Sequence, residues 1–263
     1  MKLKGMRNMK RFLQFAFIFA IGLMIPLILA PCIIAGTFRD DFENEKDFLS
    51  DNKFREGGVW GEDIKFYKWE KGTIRGIPKP AMMVFLITGD YGWKDYIVEC
   101  KAKLIKDDCV VGLVLRHSCI DCNLGYAFCL EGNFFGGNQA SIVPLWIPLW
   151  TPLRSVGFTA SKDVWYTLKA VAQGERFEFY IDNKLFVEAE DFKDSPCPAG
   201  KAGFLFSGFG LVEEGEALFD DFVMTGPEVK DGGHWDPKAH LQSKSVSLFD
   251  KLATSWGDIK LNR

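Results

Sequence analysis

The sequence is poor in histidine, with three residues in 263. Two of them, His234 and His240, fall in a stretch rich in Gly, Pro, Asp and Lys. Neither a Ser/His/Asp catalytic set nor a His/Asp metal cluster can therefore be drawn from the pattern. Basic residues do not cluster beyond the N-terminal run, and the net charge is −3, which excludes a nucleic-acid partner. A long helical period is missing between Thr37 and Gly226, which argues against an α/β fold. No repeat of fixed period occurs. One C-x-x-C spacing is present, Cys119 to Cys122, beside His117. It has no second ligand pair to complete a zinc site, and it lacks the βαβ setting of a thioredoxin motif.

What is present begins with Lys2, Lys4, Arg7, Lys10 and Arg11, a basic run without an acid. An apolar run follows from Phe12 to about Gly36, broken only by Gln14. Such a run enters the bilayer with its positive end cytoplasmic, so the rest of the chain is expected to be secreted or extracytoplasmic. Small Ala35 suits the cut of a signal peptide spanning 1–36. The run is also long enough to span, so a retained anchor helix is the alternative, against which Pro26 and Pro31 weigh. Cys32 suits lipidation poorly, because Pro31 stands where a lipobox takes Gly, Ala or Ser. Membrane contact is expected only through this segment. Six cysteines follow it, an even number that permits disulfides in an exported chain. Cys119 and Cys122, in a polar turn, either pair locally or remain inert thiols. Cys100, Cys109 and Cys129 fall in strand patterns and read as small buried hydrophobes.

From Thr37 to Thr225 nearly every segment alternates with period two or forms a short β-rich run bounded by Gly, Asp or Asn. In Tyr96–Leu104, Val98, Cys100, Ala102 and Leu104 face one way while Glu99, Lys101 and Lys103 face the other, as in a half-buried antiparallel strand. Gln173-Gly174-Glu175 and Asp182-Asn183 mark two hairpins, and Val156–Thr159 and Trp165–Gln173 are among the other candidate strands. More than ten strands without interleaved helices predict an all-β sandwich or barrel over 37–226. The tail, 227–263, reads as a linker from Gly226 to Lys244 and then a short helix. Ser247–Asp250 forms a capping box, and Leu248, Leu252, Trp256 and Ile259 form an apolar stripe. This tail either docks on the sandwich or binds a protein partner.

Several runs resemble concanavalin A-like lectin/glucanase domains. Phe85-Leu-Ile-Thr-Gly-Asp-Tyr-Gly-Trp-Lys-Asp-Tyr-Ile-Val-Glu-Cys-Lys-Ala is similar to their "T…Y.DF.le.k" strand pair, and Gly112-Leu-Val-Leu-Arg116 to their "GlvfR" strand. Gly125-Tyr-Ala-Phe stands at the following strand. Trp165-Tyr-Thr-Leu-Lys-Ala with Phe179-Tyr-Ile-Asp-Asn-Lys-Leu resembles "WY.lkv…vyvdg.l". The likeness runs from about Phe38 to Thr225 and is nearest to the 3-keto-disaccharide hydrolase-type branch and to laminin G-like or carbohydrate-binding modules. It implies an antiparallel two-sheet jelly roll whose concave face or loop rim meets glycans. At the last strand Phe219-Asp-Asp-Phe222 replaces the "FRNI" of the hydrolase-type domains, which counts against hydrolysis. A glucanase on this fold would also carry an E-x-D-x-x-E strand. None is present, and Glu213, Glu214 and Glu216 read as solvated loop charges.

The expected function is therefore glycan or polysaccharide binding without catalysis. A glycoside hydrolase and an adhesive extracellular protein are the alternatives. Sugars present apolar faces to aromatic rings, which nominates Trp60, Trp93, Tyr126, Trp146 and Trp150, with Arg116 either a polar contact at the end of its strand or a partner for an acid. Trp165, in the "WY" motif, is expected in the core. Trp146 and Trp150 lie in a run with Pro144, Pro148 and Pro152, which keeps it out of a central ladder. That run reads as a loop over the core, an aromatic ligand platform, or an apolar patch for a protein partner or a membrane surface. Asp40-Asp41-Phe42-Glu43 and Asp220-Asp221-Phe222 are near copies at the two ends of the domain. Asp41, Glu43, Asp220 and Asp221 are candidates for a structural calcium, which the resemblance to carbohydrate-binding modules implies. The competing reading is acids hydrogen-bonded or solvated at strand ends. No cofactor is required.

Overall fold

The computed structural model describes residues 35–45, 55–57 (main chain only), 66–80, 82–106, 109–118, 124–132, 137–147, 150–192, 195–208 and 215–235. The expected leader helix and C-terminal helix lie outside these residues. Sixteen strands occur among the described residues. In chain order they are β1 (Gly36–Asp40), β2 (Arg55–Gly57), β3 (Tyr67–Glu70), β4 (Thr73–Gly76), β5 (Met83–Thr88), β6 (Tyr96–Leu104), β7 (Val110–His117) and β8 (Tyr126–Glu131). Then come β9 (Gln139–Pro144), β10 (Arg154–Gly157), β11 (Trp165–Gln173), β12 (Arg176–Ile181), β13 (Lys184–Glu190), β14 (Lys201–Ser207), β15 (Ala217–Gly226) and β16 (Gly232–His234).

These form two sheets. One has the order β13-β12-β11-β6-β15-β1-β16, with β4 also pairing to β15 and β3 to β4. The other has the order β10-β9-β8-β7-β14-β5-β2. All pairings are antiparallel except the one between β1 and β16. The fold is the expected all-β sandwich.

Alternation sets what each face does. Val98, Cys100, Ala102 and Leu104 of β6 point into the core between the sheets, opposite Leu113, Leu115, Phe128, Phe204 and Phe206 of the β7 sheet. Fully burying such side chains contributes on the order of 1.5–3 kcal/mol each, so this interface carries most of the stability. The outward face of the β6 sheet bears Glu99, Lys101 and Lys103 as expected, with a small apolar patch of Ile97, Val171 and Val223. The outward face of the β7 sheet is different. Met83, Phe85, Ile87, Val110, Val114, Ala127, Cys129, Val143, Leu145 and Leu205 form a second buried apolar cluster there. Strands β7 and β8 are buried at every position.

Of three register shifts, those in β15 and β7 redirect the side chains that matter for the site. In β15 the register slips between Asp220 and Val223, and Asp221 takes φ 52°. The extra residue puts Phe222 on the same inward face as Phe219 although they are three apart. In β7 the slip falls opposite Lys201–Gly203, with Arg116 at φ 51°. The hairpin turns follow the sequence. Asp182 and Asn183 both have positive φ between β12 and β13, and Gly174 (φ 56°) turns β11 into β12.

Three differences from the sequence reading have physical causes. Strand β10 begins at Arg154, two residues ahead of the expected Val156, because Arg154 and Ser155 already pair with Ile142 and Ser141. Trp165, expected in the core, is 37% exposed with Lys103 Nζ 4.9 Å from its ring; its position in β11 faces outward while the neighbouring Tyr166 turns in. Gly232–His234, read as linker, forms β16 through main-chain pairing. A Cβ at Gly233 (φ 92°) would sit 1.7 Å from Arg39 O, so glycine alone permits this approach.

A similar constraint gives a test of the packing. A Cβ at Gly203 would lie 2.0 Å from Leu86 O and 2.7 Å from Ile87 Cα, both backbone atoms. Gly203→Ala should cost about 2 kcal/mol or more, read as a lower urea midpoint with unchanged m-value. An unshifted midpoint would refute the tight β5–β14 register.

Candidate functional site

The bulge at Arg116 builds the site. A regular strand would alternate Arg116 onto one sheet face. The left-handed residue instead sends the guanidinium over the end of the sandwich to the other sheet. Its Nε and Nη2 donate to Lys94 O at 3.1 and 3.0 Å, and Nη2 donates to Gly174 O at 2.7 Å. The Arg116 main-chain N–H donates to Tyr96 Oη at 2.6 Å, and that hydroxyl donates to Gly200 O at 3.0 Å. Burial, ahead of any other cause, pushes the Tyr96 hydroxyl well above the usual phenol range. Arg116 also lies 5.1 Å from the Phe177 ring centroid.

The remaining nitrogen, Nη1, stands 3.6 Å from Asp191 Oδ2, with both side chains almost fully buried. Asp191 accepts from the Tyr126 hydroxyl and, at 2.7 Å, from the Phe192 N–H. The Tyr126 hydroxyl also contacts Ser195 Oγ at 2.5 Å. Burial first, and then the Asp191 hydrogen bond, raise Tyr126 well above its ordinary value, so it is a neutral donor. Trp146 meets the Tyr126 ring edge-on at 4.9 Å and Phe192 at 6.5 Å. Beside this network lies a pocket of about 250 Å³ lined by Lys94, Asp95, Arg116, Asp191, Phe192 and Ser195, among others. Phe192 is 46% exposed. It also lines a larger groove of about 720 Å³ that runs between edge strands β10 and β13, with Arg154, Leu185, Phe186 and Glu190 on its walls.

The structure thus brings together Arg116, Tyr126 and Trp146 of the residues nominated from sequence. Tyr126 is fully buried and acts as a buttress for Asp191 rather than a stacking surface. Trp93, expected at a rim, is 6% exposed and packs edge-on to Tyr96 at 6.4 Å. Gly89 beside it leaves room for the indole, since a Cβ there would fall 2.2 Å from the ring. Trp146 packs on the core between the sheets and Trp150 on the outward face of the β7 sheet, so the two do not share one platform. Trp60, Cys119 and Cys122 lie outside the described residues. Sequence reasoning missed Asp191, Ser195 and Phe192, which follow β13 in a loop with no periodic signal.

His117, the residue after the bulge, is fully buried and packs against Phe85 with ring centroids 5.0 Å apart and the planes tilted by 56°. Burial, and then Lys201, lower it to about 4, so it is a neutral core histidine at physiological pH. Cys100, Cys109, Cys129 and Cys197 are buried and unbridged.

The acidic ends of the domain do meet, since Asp40 pairs with Phe222. Their carboxylates turn to local partners. Asp40 Oδ1 accepts from Phe42 N–H at 3.0 Å, and Asp41 Oδ1 from Glu43 N–H at 3.3 Å. Asp220 Oδ1 accepts from Asp221 N–H at 2.7 Å, and Asp221 Oδ2 pairs with Lys101 Nζ at 2.5 Å. Among the described residues no group of three or more His, Cys, Asp or Glu side chains is spaced to hold a metal ion. Burial raises Asp40 to about 6, and burial followed by the Asp221 charge raises Asp220 to about 7.

Two tests follow from these geometries. Arg116→Met strands the buried Asp191 carboxylate and should cost about 3–5 kcal/mol in urea denaturation. Pairing it with Asp191→Asn should restore part of that loss, and strict additivity would deny the coupling. The second test concerns pH. Asp220 holds its proton more tightly folded than unfolded. Its contribution to stability is therefore complete below about pH 4 and is lost as pH rises through about 7. Asp220→Asn keeps the acceptor for Asp221 N–H and removes the ionisation. Its melting temperature should gain on the parent's steadily as pH rises from about 4 to about 8; a constant difference across that range would rule out the buried proton.

No protein-family model and no curated protein matches the sequence. Solved structures do match in shape. A carbohydrate-binding module, CBM66, from Bacillus subtilis is 18% identical with a TM-score of 0.50, over 66% of this chain and 96% of that one. A Bacillus subtilis protein of unknown function with a galectin-like fold is 11% identical at 0.54, over 71% and 94%. A prokaryotic β-1,3-1,4-glucanase (lichenase) derived from a mouse hindgut metagenome is 13% identical at 0.51, over 73% and 99%. At these identities the likeness establishes the fold alone, and the described residues share the two-sheet sandwich of these structures.

Proposed function

We propose that the chain is an exported glycan-binding module whose ligand lies along the groove between β10 and β13 and ends in the Arg116–Asp191 pocket. The observation that carries this reading is Phe192, exposed where the groove and the pocket join. An exposed ring next to fixed polar groups matches the two faces of a sugar: the ring covers C–H bonds, and the polar groups take hydroxyls. Asp191 and Ser195 are held by Tyr126, so they are set before a ligand arrives and little ordering entropy is lost on binding. Arg154, Glu188 and Glu190 supply hydrogen-bonding groups along the groove. The pocket has room for roughly one sugar ring, and the groove extends the site to a chain of them. The ligand class follows the carbohydrate-binding module that shares the fold. Export follows the basic and apolar N-terminal run.

A glycan array, followed by titration calorimetry on the best ligand, tests the site. Phe192→Ala should weaken binding about tenfold, or 1.4 kcal/mol, with little change in melting temperature because the ring is half exposed. Binding that survives this substitution unchanged would move the ligand elsewhere, and an array without any retained glycan would defeat the reading.

A further inference from the structure

We propose that His117 is an acid-operated latch on the Arg116–Asp191 pocket: when it takes a proton, the end of β7 parts from β14 and the pocket is undone. As a control on ligand binding this rests on the glycan reading above; as a movement of the fold it does not. His117 is fully buried, and neither of its ring nitrogens has a hydrogen-bond partner among the described residues. The bulge at Arg116 puts it there. Leu113 and Leu115 face the core, so regular alternation would turn residue 117 inward as well. The slipped register turns it outward instead, against Phe85.

The neighbours offer an imidazolium no compensation. On β14, Lys201 lies directly across from His117 and is the charged group that acts on it, by repulsion. On β5 the contact is the uncharged Phe85 ring. Ahead of β8 it is main chain, close enough that a Cβ on Gly125 would lie 3.1 Å from His117 Cα. Within β7, the Arg116 guanidinium is spent on Lys94 O, Gly174 O and Asp191. No carboxylate of the described residues offsets the charge. A buried charge without a partner is costly, and water is the remaining way to stabilise it. His117 is the last residue of β7, so it reaches water if the strand end alone lifts. That end is pinned by Arg116 N–H on Tyr96 Oη at 2.6 Å and Ser118 N–H on Leu124 O at 3.1 Å. Gly200 packs so tightly on it that a Cβ there would sit 2.5 Å from Arg116 C. Lifting His117 therefore displaces Arg116, and with it the cation that faces Asp191.

The direction follows from burial. The closed form holds His117 at about 4, against 6.5 for a solvated imidazole. The closed form is thus fully favoured above about pH 6.5 and loses ground as pH falls toward 4. Between about pH 7.5 and about pH 5 the open fraction should rise about thirtyfold. Asp40 and Asp220, in the other sheet, act in the reverse sense, because their raised values stabilise the fold in acid.

Hydrogen exchange at these two pH values, corrected for intrinsic rates and read by peptide mass spectrometry, tests the latch without any ligand. Peptides from the end of β7 and the start of β14 should open about thirtyfold more often in acid, and those of β11 and β12 should not. His117→Phe, which cannot take a proton, should abolish the difference; His117→Leu makes the same comparison if the larger ring prevents folding. An unchanged parent, or a rise that persists in the variant, would overturn the proposal. A rise shared equally by β11 and β12 would also overturn it, since that is global unfolding. A glycan array that retains nothing defeats the binding reading and leaves the exchange result to decide the latch alone.

Discussion

The position of one buried guanidinium governs both the sandwich and its candidate site. Arg116 belongs to β7, yet its three donors to Lys94 O and Gly174 O reach the lead-in of β6 and the β11–β12 turn, which are parts of the opposite sheet. Hydrophobic contact between two sheets is non-directional and tolerates sliding. A fork of hydrogen bonds from a charged group is directional, and leaving it unmade in a buried setting is costly. Arg116 therefore fixes how the ends of the two sheets meet. Tyr96 takes part in the same lock by accepting from the Arg116 main chain and donating to Gly200. The strained φ at Arg116 is tolerated because these bonds over-determine it.

The lock also explains the polar cluster. Three donors are committed to carbonyls, so Arg116 faces Asp191 with Nη1 alone, at a long 3.6 Å. Asp191 completes its shell with the neutral Tyr126 hydroxyl and the Phe192 N–H. The carboxylate is held by several separate contacts rather than one bidentate pair, and the residue lines the pocket. A rigid polar floor with an exposed ring at its edge is what remains when a structural arginine is nearly, but not wholly, consumed.

Alternation made the architecture legible. Thr37 to Thr225 shows period two, and the strands, both hairpins and the inward set of β6 appear where that period places them. Elements built from main chain alone were not legible. Strand β16 rests on glycines that pair by backbone, and the bulges at Arg116 and Asp221 reverse which face the following residue takes. The site was half legible for the same reason. Arg116, Tyr126 and Trp146 carry residue-type signals, whereas Asp191, Ser195 and Phe192 sit in an aperiodic loop and acquire meaning only through the partners the fold brings to them. The acidic doublets were visible as a pair, but only coordinates reveal that their oxygens turn to neighbouring N–H groups and Lys101.

The two sheets differ in a way that constrains where any ligand can sit. The outward face of the β6 sheet is charged and crossed by ion pairs such as Lys101–Asp221 and Arg176–Glu178, so a neutral ligand there would have to displace satisfied partners. The outward face of the β7 sheet is apolar and already buried, which closes the broad surface that a sandwich could otherwise present. What stays open is the seam where the sheets end. There β10 has four residues, and β13 carries the exposed Leu185. Edge strands leave unpaired main-chain groups and side chains accessible on both walls. The groove along that seam runs to Phe192, and the Arg116 lock lies just beneath it. The location of the candidate site thus follows from covering one sheet face and charging the other.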